Sequence, residues 1–405
     1  MPPFFIDGLT RMKKRILFYY DNFCGADARG GTEVATFRIA SALKSKGVDV
    51  FNAFRSKGDG KEKSIYHDVI KLSRNNRKFV SDLARFIREN EIDVAVNMSR
   101  FFRHSLISEA SKKSGRDVRV FFMQHFAPGS EKKKGTYAAG FHLLKLNPLN
   151  PLYWLRASFY PLLKLPRTLR WKKIYRDIYD TSDRVILLSK GYFDSYKRIA
   201  GISDDKKFQA VPNIYNPDKG MDITALVEKK EKRVLMLSRM DEVQKRISLG
   251  LKIWKEIEKE EDLNDWCLDI VGTGHDMACE KRLAKSLGLR RVSFHGWQPP
   301  RKFLENDSIL MMTSEYEGLP LSLIEAQAYG CVPIAYDSFA SLRDVVEDGI
   351  TGVVVEKFGD TENFAGKLKQ LMRNKDYRQK MAEEAWKASG RFSSENIVSK
   401  WLNLL

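Results

Sequence analysis

The sequence predicts an α/β protein of two Rossmann-like domains, each a doubly wound parallel sheet, facing each other across a cleft. Three observations carry that expectation. The 405 residues exceed what one hydrophobic core usually organises. Apolar residues make up 43% and charged residues 30%, the balance of a folded chain rather than a disordered one. Short β-branched and aromatic runs alternate with helical patterns in two successive series, the signature of βαβ units.

The first series opens with a strand at 16–20 and a glycine-bearing loop that reaches Gly31. A helix over 32–46 follows, with Val34, Phe37, Ile39, Ala40 and Leu43 near helical spacing, Gly47 as its stop, and the next strand beginning at 48–51. Further strands are expected at 94–96, 118–122, 185–188 and 209–213. Residues 216–232 turn polar and lose periodicity, which reads as a linker. The series then restarts with a strand at 234–237, a helix at 248–259 and a strand at 267–271 running into Gly272-Thr273-Gly274. Strands at 292–294, 309–312, 332–335 and 353–355 complete it. The domains are therefore drawn at 1–215 and 216–390, with 391–405 as a terminal helix free to pack back on the N-terminal domain.

The net charge of +18 points to an anionic partner: nucleic acid, an acidic membrane surface or phosphorylated substrates. Residues 131–173 hold ten Lys or Arg against the single acid Glu131, half the net charge, among Phe141, Tyr153, Trp154, Phe159, Tyr160, Trp171 and many leucines. Basic, aromatic and aliphatic side chains together are what interfacial segments use on anionic lipid, so this segment predicts peripheral membrane contact, with helices packed on the first sheet as the alternative. A nucleic-acid partner is not expected, because the cations lie beside large aliphatic groups and no nucleic-acid module is present. Cys24, Cys267, Cys279 and Cys331 lie far apart without a CxxC pair, so neither a zinc site nor a disulfide framework is indicated. No signal-peptide pattern and no apolar run of about 20 residues occurs, which predicts a cytoplasmic protein at the inner face of the plasma membrane.

Doubly wound sheets bind ligands at the carboxyl ends of their strands. After the strand ending at Leu237 come Arg239 and Lys245, two cations suited to holding a diphosphate and stabilising it as it leaves. After the strand ending at Met312 come Glu317 and Glu325, seven residues apart, with a helix starting between them. Pro320 suits the first helical turn, which sets the amides of Gly318 and Leu319 at a positive helix end. Glu317 then lies in the mouth, and Glu325 is placed to reach a ribose diol. In the first domain, Gly30 and Gly31 permit close backbone approach at another helix start, without the pattern of a P-loop or a dinucleotide fingerprint. Gly272 and Gly274 read equally well as turn residues or as contacts to base and ribose.

In this order the sequence resembles the family-4 class (GT4) of retaining glycosyltransferases with the GT-B fold. The resemblance rests on Gly30-Gly31-Thr32-Glu33, His125, Pro212-Asn213, Ser238-Arg239 with Lys245-Arg246, residues 270–274, Phe294-His295-Gly296 and the segment 317–325, and it covers nearly the whole chain. It implies that Arg239 and Lys245 hold the donor diphosphate, Glu317 contacts the transferred sugar, Glu325 the ribose, Gly30 and Gly31 the phosphates or acceptor, and that His125 lies close to the sugar. It further implies retention of configuration by a front-face route. The second half looks most like the bacterial polysaccharide and lipopolysaccharide branch, through Ile253-Trp254, Asp265-Trp266 and residues 325–333. The expected partners are a nucleotide-sugar, UDP-linked by family frequency, and a glycan or lipid-linked acceptor. No cofactor or metal is expected, since no Asp-x-Asp triplet occurs. A nucleotide-sugar epimerase or a phosphorylase on the same fold, or a basic nucleic-acid-binding protein, are the competing readings.

Overall fold

A computed structural model describes residues 14–26, 30–56, 65–133, 151–216 and 220–405, with backbone alone at 132–133, 152–153 and 155–164. Asp27 to Arg29 of the glycine loop and residues 134–150 of the basic segment, with Lys134, Phe141 and Lys145, lie outside the described residues.

Two parallel sheets form, as the alternating pattern predicts. The first has seven strands, β1 (Arg15–Tyr19), β2 (Asp49–Phe54), β3 (Asp68–Lys71), β4 (Val94–Met98), β5 (Arg119–Gln124), β6 (Arg184–Leu187) and β7 (Phe208–Ala210), in the order β3-β2-β1-β4-β5-β6-β7. The second has six, β8 (Glu231–Leu237), β9 (Cys267–Val271), β10 (Val292–Gly296), β11 (Asp307–Met312), β12 (Val332–Tyr336) and β13 (Val353–Val355), in the order β10-β9-β8-β11-β12-β13, every pair parallel. Central strands are buried along their whole length, Val-Ala-Val-Asn-Met in β4 and Asp-Ser-Ile-Leu-Met-Met in β11, which is why they read as near-continuous apolar runs rather than alternating ones.

The chain divides into two compact units, one of residues 1–123, 178–185 and 398–405, the other of 124–177 and 186–397. In the first, Leu17 sits opposite Phe51 and Ala95 in the sheet and packs with Phe79, Leu83 and Ile87 of the helix Asn76–Glu89. That helix starts where the Asn75 side chain accepts the Lys78 amide at 3.1 Å. The last residues belong to this unit: Trp401 is fully buried edge-on to Phe18, centroids 5.8 Å apart, and Arg119 donates to the carbonyls of Leu404 and Leu405 at 2.8 and 2.5 Å. The core of the second unit gathers Trp254, Trp266, Ile309, Ile334, Phe364 and Leu368.

Three stretches differ from the sequence reading. Strand β3 has only four residues, Asp-Val-Ile-Lys, at a sheet edge, too short and polar to signal itself. The stretch 216–232 is not all linker: Asp222 caps a helix, Ile223–Glu228, and β8 already begins at Glu231, its Glu-Lys-Arg start hidden from a hydrophobic count because it is solvated. Residues 151–181 form one long helix, Pro151–Thr181, with Pro161 and Pro166 inside it.

Candidate functional site

The loop after β8 is pinned from below. Ser238 and Met240 donate their amides to the carbonyls of Val271 and Thr273 at 3.0 and 2.9 Å, so the loops following β8 and β9 run against each other. Gly272 and Gly274 make that approach feasible: a Cβ on Gly272 would stand 1.9 Å from the Ser238 carbonyl oxygen, and one on Gly274 2.1 Å from that of Met240. Gly272 also has φ +137°, which side-chain-bearing residues rarely adopt. Both glycines thus have a backbone-packing role. The buried Asp276 carboxylate accepts the Glu242 amide at 2.7 Å, and Glu242 in turn accepts from the amide and hydroxyl of Ser248 at 3.1 and 2.5 Å. These bonds hold the short helix Glu242–Lys245 in place.

The loop after β11 meets it from the adjacent strand. The Thr313 hydroxyl faces the carbonyls of Lys245 and Arg246, each at 2.9 Å, the Glu315 amide donates to the Gln244 carbonyl at 2.8 Å, and Arg246 Nε donates to Glu315 at 2.9 Å. Arg246 has φ +51°, the left-handed turn that lets the chain pass from one helix into the next. The Lys245 ammonium lies 2.5 Å from Glu317 Oε1, with side chains only 15% and 10% exposed. The other Glu317 oxygen accepts from Gln244 Nε2 at 3.2 Å, and Gln244 Oε1 accepts from Arg239 at 3.2 Å. Arg239 is 56% exposed and also reaches Asp241 at 3.0 Å. Arg239, Lys245 and Glu317 therefore converge through Gln244, a residue that sequence reading passed over; its place directly before Lys245 was the available signal.

Glu317 is fixed at its backbone as well, since the buried Tyr192 hydroxyl donates to its carbonyl at 2.5 Å and contacts Ser341 Oγ at 3.1 Å. Gly318 lies against His125: a Cβ there would stand 2.0 Å from the His125 carbonyl oxygen. His125 directly follows β5 and is buried, and burial pushes its imidazole down to about 4, with a hydrogen bond to Asn213 opposing the shift. It is neutral at neutral pH. Leu319 is buried, and Glu325 lies half-buried in the second turn of the helix Leu321–Ala328. Pro320 stands just before that helix rather than in its first turn, its carbonyl accepting from Leu323 and Ile324 at 3.0 and 3.3 Å.

Gly30 and Gly31 belong to the other unit. Gly30 immediately precedes the helix Gly31–Ser45, with the Glu33 carboxylate folded over it and held by the Asn22 amide at 2.8 Å; a Cβ on Gly31 would meet nothing within 4 Å. At the carboxyl end of the same sheet, Asp21 lies 3.3 Å from Arg100 and 3.7 Å from Arg55, with the Arg100 guanidinium 4.1 Å above the Tyr20 ring. Both arginines follow a strand end, the signal by which the sequence marks them. In the second unit Asp241, His275 and Asp276 bring their ligand atoms within 4.8 Å of one another, a cluster that their spacing along the chain does not encode.

A model of glycosyl transferases group 1 matches residues 222–388, which include β8 to β13, Arg239, Lys245 and Glu317. This part of the chain is similar to the group 1 glycosyl transferases. A poly(glycerol-phosphate) alpha-glucosyltransferase of Bacillus subtilis is 24% identical over 340 residues, 82% of this chain, and the amylovoran biosynthesis glycosyltransferase AmsD of Erwinia amylovora is 33% identical over 180 residues, 44% of this chain. The chain spans about half the length of these two relatives, 49% of each. Among solved structures, the lipopolysaccharide outer core galactosyltransferase WaaB superposes with a TM-score of 0.69 at 19% identity, covering 96% of this chain and 98% of WaaB. Anabaena HepE in complex with UDP and glucose gives 0.70 at 14% identity over 96% and 99%. The fold of the chain is thus GT-B. No helix among the described residues is long and apolar enough to cross a membrane.

Proposed function

We propose that the protein is a GT4-like, retaining glycosyltransferase of bacterial polysaccharide or lipopolysaccharide biosynthesis. It moves a hexosyl or N-acetylhexosaminyl group from a UDP-linked donor to a glycan or lipid-linked acceptor without a metal. The observation that carries this reading is the Lys245–Glu317 pair at 2.5 Å, joined through Gln244 to the exposed Arg239 at the carboxyl ends of β8 and β11. Arg239 and Lys245 supply the positive charge for a diphosphate and for the negative charge that grows on it as the glycosidic bond breaks. Glu317 accepts hydrogen bonds from hydroxyls of the sugar, Glu325 from those of the ribose, and the neutral His125 exchanges hydrogen bonds beside Gly318. The leaving phosphate oxygen takes the acceptor proton on the same face, so no enzyme nucleophile is required. The UDP complex of HepE supports a uridine donor.

The test is UDP release and sugar transfer from a panel of UDP-sugars. Activity that persists in EDTA, falls by orders of magnitude in Glu317→Ala and leaves UDP binding measurable supports the assignment; near-normal activity in both Glu317→Ala and Arg239→Ala removes it. The same reading places the enzyme on an anionic membrane through residues 131–173, where the helix Pro151–Thr181 exposes Trp154, Leu165 and Leu169 together with Lys172 and Lys173. Sedimentation with phosphatidylglycerol vesicles checks this, and unchanged binding after Lys132, Lys133, Lys134, Lys172 and Lys173 are replaced by Glu rejects it.

A further inference from the structure

Asp241 follows β8, and the adjacent pair His275-Asp276 follows β9. One oxygen from each aspartate and one imidazole nitrogen lie within 4.8 Å of one another, and His275 Nε2 stands 3.2 Å from Asp276 Oδ2. Ligands held about 2.0–2.1 Å from a tetrahedral metal ion lie about 3.3 Å from each other, so the His275–Asp276 edge already has the length that a coordination shell requires. Asp241 has at most about 1.5 Å to close, within the reach of a side-chain rotation. The two loops are held together at their backbones: Met240 donates its amide to the Thr273 carbonyl at 2.9 Å, Asp276 donates its own to the Met240 carbonyl at 3.4 Å, and Gly274 packs directly on Met240.

A second observation points to a cation. Glu280 lies one helical turn beyond Asp276 in the helix Met277–Ser286 and is 3% exposed. Its Oε2 is buried without a hydrogen-bond donor among the described residues. The Glu242 and Asp276 carboxylates that face Glu280 add to burial in pushing its carboxyl up to about 8. The cluster therefore holds more negative charge than the protein around it compensates, and the exposed Arg239, 3.0 Å from Asp241, reaches only its rim. One imidazole with two carboxylates suits a zinc-type ion, with a fourth position left for water, whereas Mg²⁺ and Ca²⁺ favour oxygen ligands.

We propose that Asp241, His275 and Asp276 bind a divalent transition-metal ion of the zinc type, with Glu280 as a supporting carboxylate. The site stands apart from the transfer chemistry, read above as metal-independent, and does not rest on that reading. Asp241 links the two: an ion that takes its carboxylate leaves Arg239 with Gln244 as its remaining partner among the described residues, so occupancy adjusts the position of Arg239.

The experiment strips the untagged chain with a chelator and titrates ZnCl₂, CoCl₂ and MgCl₂ calorimetrically into the wild type, His275→Ala, Asp241→Asn and, as a control, His67→Ala, an exposed histidine of the other unit. Thermal melts of each protein without metal control for folding, and His275→Ala, at a position 56% exposed, should melt like the wild type. Zn²⁺ should bind the wild type as a single ion per chain and raise its melting temperature, Co²⁺ should compete with it, and Mg²⁺ should bind far more weakly. His275→Ala and Asp241→Asn should each bind Zn²⁺ roughly 10- to 100-fold more weakly, and His67→Ala should match the wild type. Arg239→Ala, which removes the cation competing for Asp241, should bind Zn²⁺ about 2- to 5-fold more tightly. Absence of Zn²⁺ binding to the wild type, Zn²⁺ binding that His275→Ala and Asp241→Asn leave unchanged, or equal affinity for Mg²⁺ overturns the inference. UDP binding in EDTA tests the donor reading separately and stands or falls on its own.

Discussion

Breaking the Lys245–Glu317 pair tests both stability and binding. At 2.5 Å, with 15% and 10% of the side chains exposed, the two charges attract by about 7 kcal/mol at an effective dielectric constant near 20, most of it offset by their desolvation. Lys245→Met keeps the aliphatic stem but leaves the Glu317 charge in place with only the Gln244 amide on it, and should cost about 3 kcal/mol. Glu317→Gln should cost about 2 kcal/mol, because the neutral amide strands the ammonium. The double variant strands neither charge, so its loss should fall short of the sum by about 1–3 kcal/mol. Urea unfolding followed by tryptophan fluorescence gives all three values. In the proposed donor site the pair also occupies the cation that would hold the diphosphate, so Glu317→Gln should bind UDP at least as tightly as the wild type while Lys245→Met binds it at least tenfold more weakly. Additive losses within about 0.5 kcal/mol, or a parallel collapse of UDP binding in both single variants, would refute the coupling.

Arg239→Ala, at an exposed position, should leave the melting temperature nearly unchanged yet weaken UDP binding by roughly 10- to 100-fold, as expected for a charge-assisted hydrogen bond; calorimetry measures it. Gly272→Ala should destabilise by more than about 2 kcal/mol, since its Cβ meets the Ser238 carbonyl at 1.9 Å and φ is +137°, whereas Gly31→Ala, with nothing within 4 Å at a helix start, should be neutral or slightly stabilising; thermal melts of both distinguish the cases. Burial pushes the Asp307 carboxyl up to about 8, with Asp269 adding to the rise and Arg233 and Lys230 opposing it. The folded state then keeps a proton that the unfolded chain releases above about pH 4, so this group costs stability as pH rises toward 8. Asp307→Asn has no such proton to lose, and its stability relative to the wild type should climb by about 1.4 kcal/mol per pH unit between pH 5 and 7. A flat difference across that range would contradict the assignment.

The alternation of strands and helices was legible because both sheets are parallel and covered on both faces, so strands such as β4 and β11 announce themselves as apolar runs. What escaped was polar for a structural reason: β3 is a four-residue edge strand, and β8 begins with the solvated residues Glu-Lys-Arg. At the site, Arg239, Lys245 and Glu317 could be named from their positions after strand ends, and the chain brings them together. Gln244 offered only its place directly before Lys245, because its role depends on a tertiary meeting with Glu317 that spacing along the chain does not encode. For Gly272 and Gly274, spacing could not separate a turn from a ligand contact; the close backbone of Ser238 and Met240 gives them a packing role.

The most direct test of the central claim is calorimetric titration of UDP, GDP, ADP and their sugars into the wild-type chain and Arg239→Ala, in EDTA and again with Mg²⁺. The account predicts that one nucleotide family, UDP, binds the wild type equally well in both buffers and loses most of its affinity in Arg239→Ala. Binding of no nucleotide diphosphate, or equal binding by the two proteins, would contradict a donor site built on Arg239, Lys245 and Glu317.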